Sequence, residues 1–139
     1  MKRSILLFSV SLLLLYPFRI LPQETTPKSS NELEACFETL EQGLNSDNDG
    51  LKAGCIYMVG EMRYQRSVVA LLKILHSNQS EELRILAALS LYKIGDSRGI
   101  FAIKKSIIYD ESKRVQQVCE LFYRATLQRE TNPTNIALK

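Results

Sequence analysis

Glu81 to Ser112 reads EELRILAALSLYKIGDSRGIFAIKKSIIYDES, and its apolar residues fall into two helical patterns joined by a Gly-Asp corner. Leu83, Leu86, Ala87, Leu91 and Ile94 recur at three- and four-residue steps, which places them on one side of a helix. Ile100, Ile103 and Ile107 repeat the pattern after the corner. Ser80 stands just before the first pattern, where its hydroxyl can accept from an unpaired N–H of the first turn. Gly95 can take the left-handed conformation that stops a helix, and Asp96 can cap the next one.

A shift that carries Val68 onto Ile100 lays this stretch on its neighbours. The same shift carries Leu71 onto Ile103, Lys73 onto Lys105 and Leu75 onto Ile107. Leu83 likewise falls on Val115, Leu86 on Val118, Ala87 on Cys119 and Leu89 on Leu121. Two helices sharing one offset mark a repeat whose units bury their apolar faces only against one another. The corner Val59-Gly60-Glu61 matches Ile94-Gly95-Asp96 only when the shift is lengthened by three, which predicts three extra residues around the first corner or a differently placed second helix. Periodicity and turn chemistry together predict helices at 31–44, 51–59 (closed by Gly60), 65–76, 81–94, between Asp96 and Asp110, and at 113–128. The expected fold is all-α: a short solenoid of about six helices, built as two pairs flanked by single helices.

The motif LRILAALSLYKIGDSRGI resembles a HEAT-like repeat of the short kind first noted in phycobilin lyases. Leu83-Arg84, Ala87-Ala88, Leu91 and Ile94-Gly95-Asp96 carry the resemblance, which is clearest over residues 83–112. It implies an α-solenoid with a binding role and imports no lyase chemistry. Lys113-Arg114-Val115 inverts the expected aliphatic-Arg order at the last unit.

The N-terminus is of another kind. Lys2 and Arg3 precede the apolar run Ile5 to Tyr16, which is too short to span a bilayer comfortably and is broken by Pro17, Arg19 and Pro22. Residues 1–23 read as a signal peptide, with an uncleaved N-terminal anchor as the alternative; 24–30 as a polar linker; 31–129 as the repeat domain; and 130–139 as a disordered tail. The expected location is periplasmic or secreted, or membrane-anchored if the segment is retained. Without residues 1–23 the basic and acidic residues balance, which argues against nucleic acid as a partner. The balance is uneven along the chain: residues 24–82 hold five basic and ten acidic residues, and residues 83–139 the reverse.

Chemistry-bearing motifs are sparse. One histidine, His76, and three dispersed cysteines, Cys36, Cys55 and Cys119, offer neither a nucleophile–base pair nor zinc spacing. NSDNDG at 45–50 fails as a calcium loop, because Lys52 and Met58 fall where Gly and a bidentate Glu are needed when Asp47 is the first position. No catalytic, cofactor or metal site is expected. The candidate site is a partner-binding face on the second helix of each pair, made by Arg66, Lys73, Lys104 and Lys105, with Glu41 in the same register. The reading is an exported, non-enzymatic protein–protein interaction scaffold. Its alternative is an accessory or chaperone-like factor of a cell-envelope enzyme, and open solenoid ends would admit a homodimer.

Overall fold

The structure, a computed structural model, describes residues 30–131. The expected targeting segment, nearly all of the linker and residues 132–139 of the expected tail lie outside the described residues. Within them the chain forms α1 (Ser30–Leu44), α2 (Asp49–Glu61), α3 (Val68–Leu75), α4 (Glu81–Ile94), α5 (Ser97–Tyr109) and α6 (Lys113–Thr131). A 3-10 turn at Gln65–Ser67 leads into α3.

Capping chemistry sets the period. Asn48, Ser80 and Ser112 stand one repeat apart, and each side-chain oxygen accepts from the backbone N–H three positions on, at 3.0, 3.4 and 3.3 Å. The core follows in the same register: Cys55, Ala87 and Cys119 are buried, as are Leu71 and Ile103. Helices α2, α4 and α6 form one layer and α1, α3 and α5 the other. Across the layers α1 packs along α2, α3 along α4 and α5 along α6. The array is thus three helical pairs rather than the two pairs and two single helices expected, because the short turns 45–48, 76–80 and 110–112 join the helices that pack most closely across the two layers. Three units meet the usual minimum for a stable array.

The first corner also departs from expectation. Gly60 does not close α2: it lies inside the helix, buried, where a Cβ would come 2.5 Å from Ser90 Oγ and 2.9 Å from Ser90 Cα. Its small size lets α2 approach α4, and Ser90 Oγ then donates to the Ile56 carbonyl at 2.8 Å. The left-handed position belongs to Arg63, φ 50°, which stands one repeat before Gly95, φ 76°. No residues are inserted at this corner, and the register runs unbroken from Asn48 to Ser112.

A polar series, buried at Lys52 and half-buried at Arg84 and Gln116, ties the units together. Lys52, Arg84 and Gln116 occupy one register position on α2, α4 and α6. Lys52 Nζ donates to the Gln79 side chain at 3.2 Å, and Arg84 donates to the Gln79 carbonyl at 2.5 Å. Arg84 also meets the Asp110 carboxylate with two bonds of 3.1 and 3.0 Å, and Gln116 donates to the Asp110 carbonyl at 2.6 Å. The Arg84 and Asp110 side chains are only 13% and 7% exposed.

Removing one partner of a buried pair strands the other, so Arg84→Ala should cost about 3–5 kcal/mol in denaturant unfolding. Arg114→Ala, which breaks only the exposed pair with Glu82, should cost about 1 kcal/mol or less. The corner makes a second expectation. Gly60→Ala should destabilise by about 1–3 kcal/mol through overpacking against Ser90, whereas Arg63→Gly should stabilise by about 0.5–1 kcal/mol by relieving a left-handed non-glycine residue. Thermal midpoints of the two variants moving in the same direction would contradict this assignment.

Candidate functional site

The layer of α1, α3 and α5 carries the exposed face of interest, and the repeat register arranges its side chains in columns. One column is Glu34, Arg66 and Arg98; the next is Phe37, Val69 and Phe101; the third is Glu41, Lys73 and Lys105. Each helix therefore shows a charged residue, an apolar one three positions on, and a like charge four positions further, which share one face. The charges are acidic on α1 and basic on α3 and α5.

Arg66, in the 3-10 turn, donates to Glu34 at 2.5 Å and lies 5.8 Å from the Tyr64 ring centre. Glu34 raises its pKa further, so it stays a fixed cation. Phe37 stacks on Tyr64 with ring centres 3.7 Å apart, which completes an acid–aromatic contact between the first two units. Lys73 and Lys105 are exposed. Lys73 has no ion-pair partner among the described residues, and Lys105 has only the Tyr109 ring at 5.9 Å. Arg98 is held by its own cap, with bonds of 3.0 and 3.1 Å to Asp96. These bonds, together with the Arg98 backbone N–H, hold the Asp96 carboxyl below its ordinary pKa.

Arg66, Lys73 and Lys105 thus share one surface, as expected from sequence. Lys104 does not: it turns toward α6, with Nζ 5.5 Å from the Tyr123 ring. There it lines a separate groove with Tyr92 and Arg129, whose guanidinium lies 4.3 Å over Tyr92. The reason is rotational, since one residue along a helix turns the side chain by roughly 100°. Sequence reading missed Arg98, Val69 and Phe101, which the shift between repeats would have found beside Arg66 and the lysines. Val69 and Phe101 are 51% and 67% exposed, unlike the core positions around them.

Between α3 and α5 lies a shallow groove with Leu72, Phe101 and Ala102 as its apolar lining and His76, Arg98 and Lys105 as its basic one. A further hollow between α1 and α3 holds Glu41, Asp47, Lys52, Arg66 and Lys73. Among the described residues no group of three or more His, Cys, Asp and Glu is placed to hold a metal ion. None of their helices is long and apolar enough to cross a membrane.

Stacked helical pairs that bury their faces only against neighbours, and present a side-chain array outward, define an α-solenoid. The family model for HEAT repeats matches residues 37–121, more than half of the 139 residues, and the chain belongs to that family. The family fold is in general a non-enzymatic scaffold for protein–protein interaction. No curated protein matches the chain.

Burial, and next the Asp110 carboxylate, push the Cys119 thiol up to about 12, so no thiolate forms near neutrality. Cys36 is exposed on α1. Iodoacetamide at pH 8.5 should therefore label Cys36 and leave Cys119 intact in the folded chain, as read by peptide mass. The unfolded chain releases the Cys119 proton first, so the stability it contributes is complete below about pH 9 and lost between about pH 9 and 12. Cys119→Ala should flatten that part of the profile.

Proposed function

We propose that this chain is an exported scaffold that holds another protein through the α3–α5 face, with Arg66, Lys73 and Lys105 as its cations. One observation carries the reading: the exposed series basic–apolar–basic occurs twice, as Arg66-Val69-Lys73 and Arg98-Phe101-Lys105, in the register of the repeat. Val69 and Phe101 are exposed, and of the cations beside them Arg66 is paired with Glu34 and Arg98 with Asp96, while Lys73 and Lys105 have no ion-pair partner among the described residues. Such a face suits an acidic segment with apolar side chains. Export is supported by Lys2, Arg3 and the apolar run Ile5 to Tyr16, which suits a scaffold in the periplasm or outside the cell, or at the membrane if that segment is retained. Service as an accessory factor of an envelope enzyme is the narrower form of the same reading. A catalytic role is the weaker reading: His76, exposed at the end of α3, lines a hollow with Asp110 and Glu111, but the Asp110 carboxylate is already bonded to Arg84 and to the Ser112 backbone N–H.

The ends of the array support a monomer over a homodimer. Where α3 buries Leu71 and Ile74, α1 exposes Thr39 and Gln42; where α4 buries Ala88, Leu91 and Ile94, α6 carries Glu120, Tyr123 and Thr126. Polar residues at such positions are how solenoids end in water.

The test is affinity capture on the full chain from membrane and soluble envelope fractions, read by mass spectrometry against a Lys73→Glu/Lys105→Glu variant. The expected outcome is a partner retained by the native chain and lost by the variant. Identical capture by both would remove this face from the function.

A further inference from the structure

We infer that the α3–α5 groove receives an acidic helix of the partner that carries an aromatic residue between two carboxylates. The inference rests on the scaffold reading above and adds the chemistry of what is bound. Its template is inside the chain. Helix α1 presents Glu34, Phe37 and Glu41 at helical spacing, and the 3-10 turn and α3 hold Arg66, Val69 and Lys73 at the equivalent positions. The Glu34–Arg66 bond of 2.5 Å shows this pairing made at its first position, and the aromatic residue of α1 is taken up by Tyr64 in a 3.7 Å stack. One unit further the equivalent positions hold Arg98, Phe101 and Lys105, with Arg98 shared with its Asp96 cap and Lys105 the cation without an acid among the described residues. The helix before it, α3, offers cations instead of acids, so the complement is missing from the array.

The groove's shape favours a helix over a lipid surface. Its apolar floor, Leu72 and Ala102, is half-buried or buried between two helices, and Phe101 stands at its edge. A flat bilayer can meet the Phe101 ring, but only an inserted side chain reaches Leu72. An aromatic residue on a docked helix has the length to do so, and carboxylates three positions before and four after it stand over Arg98 and Lys105. An isolated helix as short as α1 is marginal in water, so binding bears an ordering cost and the contact is of modest strength.

The probe is a fluorescein-labelled synthetic peptide of residues 30–44, with Ser in place of Cys36, titrated with the full chain and followed by anisotropy. Saturable binding is expected. It should weaken about tenfold or more when the peptide carries Phe37→Ala, when it carries Glu34→Gln/Glu41→Gln, or when the protein carries Arg98→Glu/Lys105→Glu. A Glu34→Lys/Glu41→Lys peptide should bind the Arg98→Glu/Lys105→Glu protein better than the native one, a gain that misfolding cannot produce; circular dichroism checks the fold. Absence of saturable binding, or binding indifferent to Arg98→Glu/Lys105→Glu, overturns the inference. So does loss on Arg66→Glu alone, which would mean exchange with the chain's own α1. Vesicles of phosphatidylglycerol that sediment the protein through Arg98 and Lys105, and displace the peptide, overturn it in favour of a lipid surface. If the peptide fails while Lys73→Glu/Lys105→Glu still abolishes partner capture, the scaffold reading stands and only the ligand chemistry is wrong.

Discussion

The spacing of the array depends on the Arg84 guanidinium. It reaches back to the Gln79 carbonyl in the turn before α4 and forward to the Asp110 carboxylate in the turn before α6, so one side chain fixes two successive turns. Lys52 and Gln116 extend the series on either side. A buried guanidinium is costly to desolvate and is tolerated only when nearly all its donors are met. Here the Gln79 carbonyl comes from the turn of the same unit, while the Asp110 carboxylate comes into place only when the next unit is stacked at the right distance. The same condition orders the caps: Asp110 Oδ1 also accepts from the Ser112 backbone N–H at 2.8 Å, while Ser112 caps α6. Polar bonding thus specifies the register, and apolar burial supplies most of the driving force.

With the register fixed, the two layers differ in kind. In the layer of α2, α4 and α6, Gly60 against Ser90 and Tyr92 stacked on Phe122 at 5.4 Å bring neighbouring helices into close contact. In the layer of α1, α3 and α5 the neighbours touch less, and grooves remain between them. The first layer holds the array together. The second is free to vary, because the residues on its outer surface support little of the fold, and the exposed basic and apolar columns lie there.

The helices, their caps and the core columns were legible in the sequence because each depends on local chemistry: a short polar side chain before an apolar period, or a repeat of buried positions. Gly60 was not legible. A glycine near a helix end reads equally well as a stop or as a point of close approach, and the difference is decided by Ser90, on the next unit of the array. Arg63 was hidden for the complementary reason, since a left-handed arginine leaves no mark in sequence. The pairing of helices into units was also ambiguous, because each helix packs on neighbours both before and after it. Of the four cations expected on one face, Lys104 was misplaced by a single step along α5, where helical rotation outweighs adjacency in sequence.

The uneven charge along the chain follows from how units meet. Glu34 pairs with Arg66, Glu61 with Lys93 and Glu82 with Arg114, each acid one repeat before its base. At Glu61 the Lys93 ammonium, and then the Tyr57 hydroxyl, hold the carboxyl below its ordinary pKa. Acid first and base second, repeated between units, makes the early part of the chain acidic and the later part basic without any long-range field. The order fails at several columns, Lys52 before Arg84 and Asp49 before Glu81 among them, and twice on the α3–α5 face. Arg98 follows Arg66, and Lys105 follows Lys73, so cation stands beside cation one unit apart, where stacking alone would favour an acid. Arg98 is neutralised by its own Asp96 cap; Lys105 has no such acid. Where Lys52 precedes Arg84 both cations are bonded to Gln79. On the α3–α5 face Lys105 lacks any such bond among the described residues and an exposed Phe101 stands between it and Arg98, and the proposed partner contact rests on that difference.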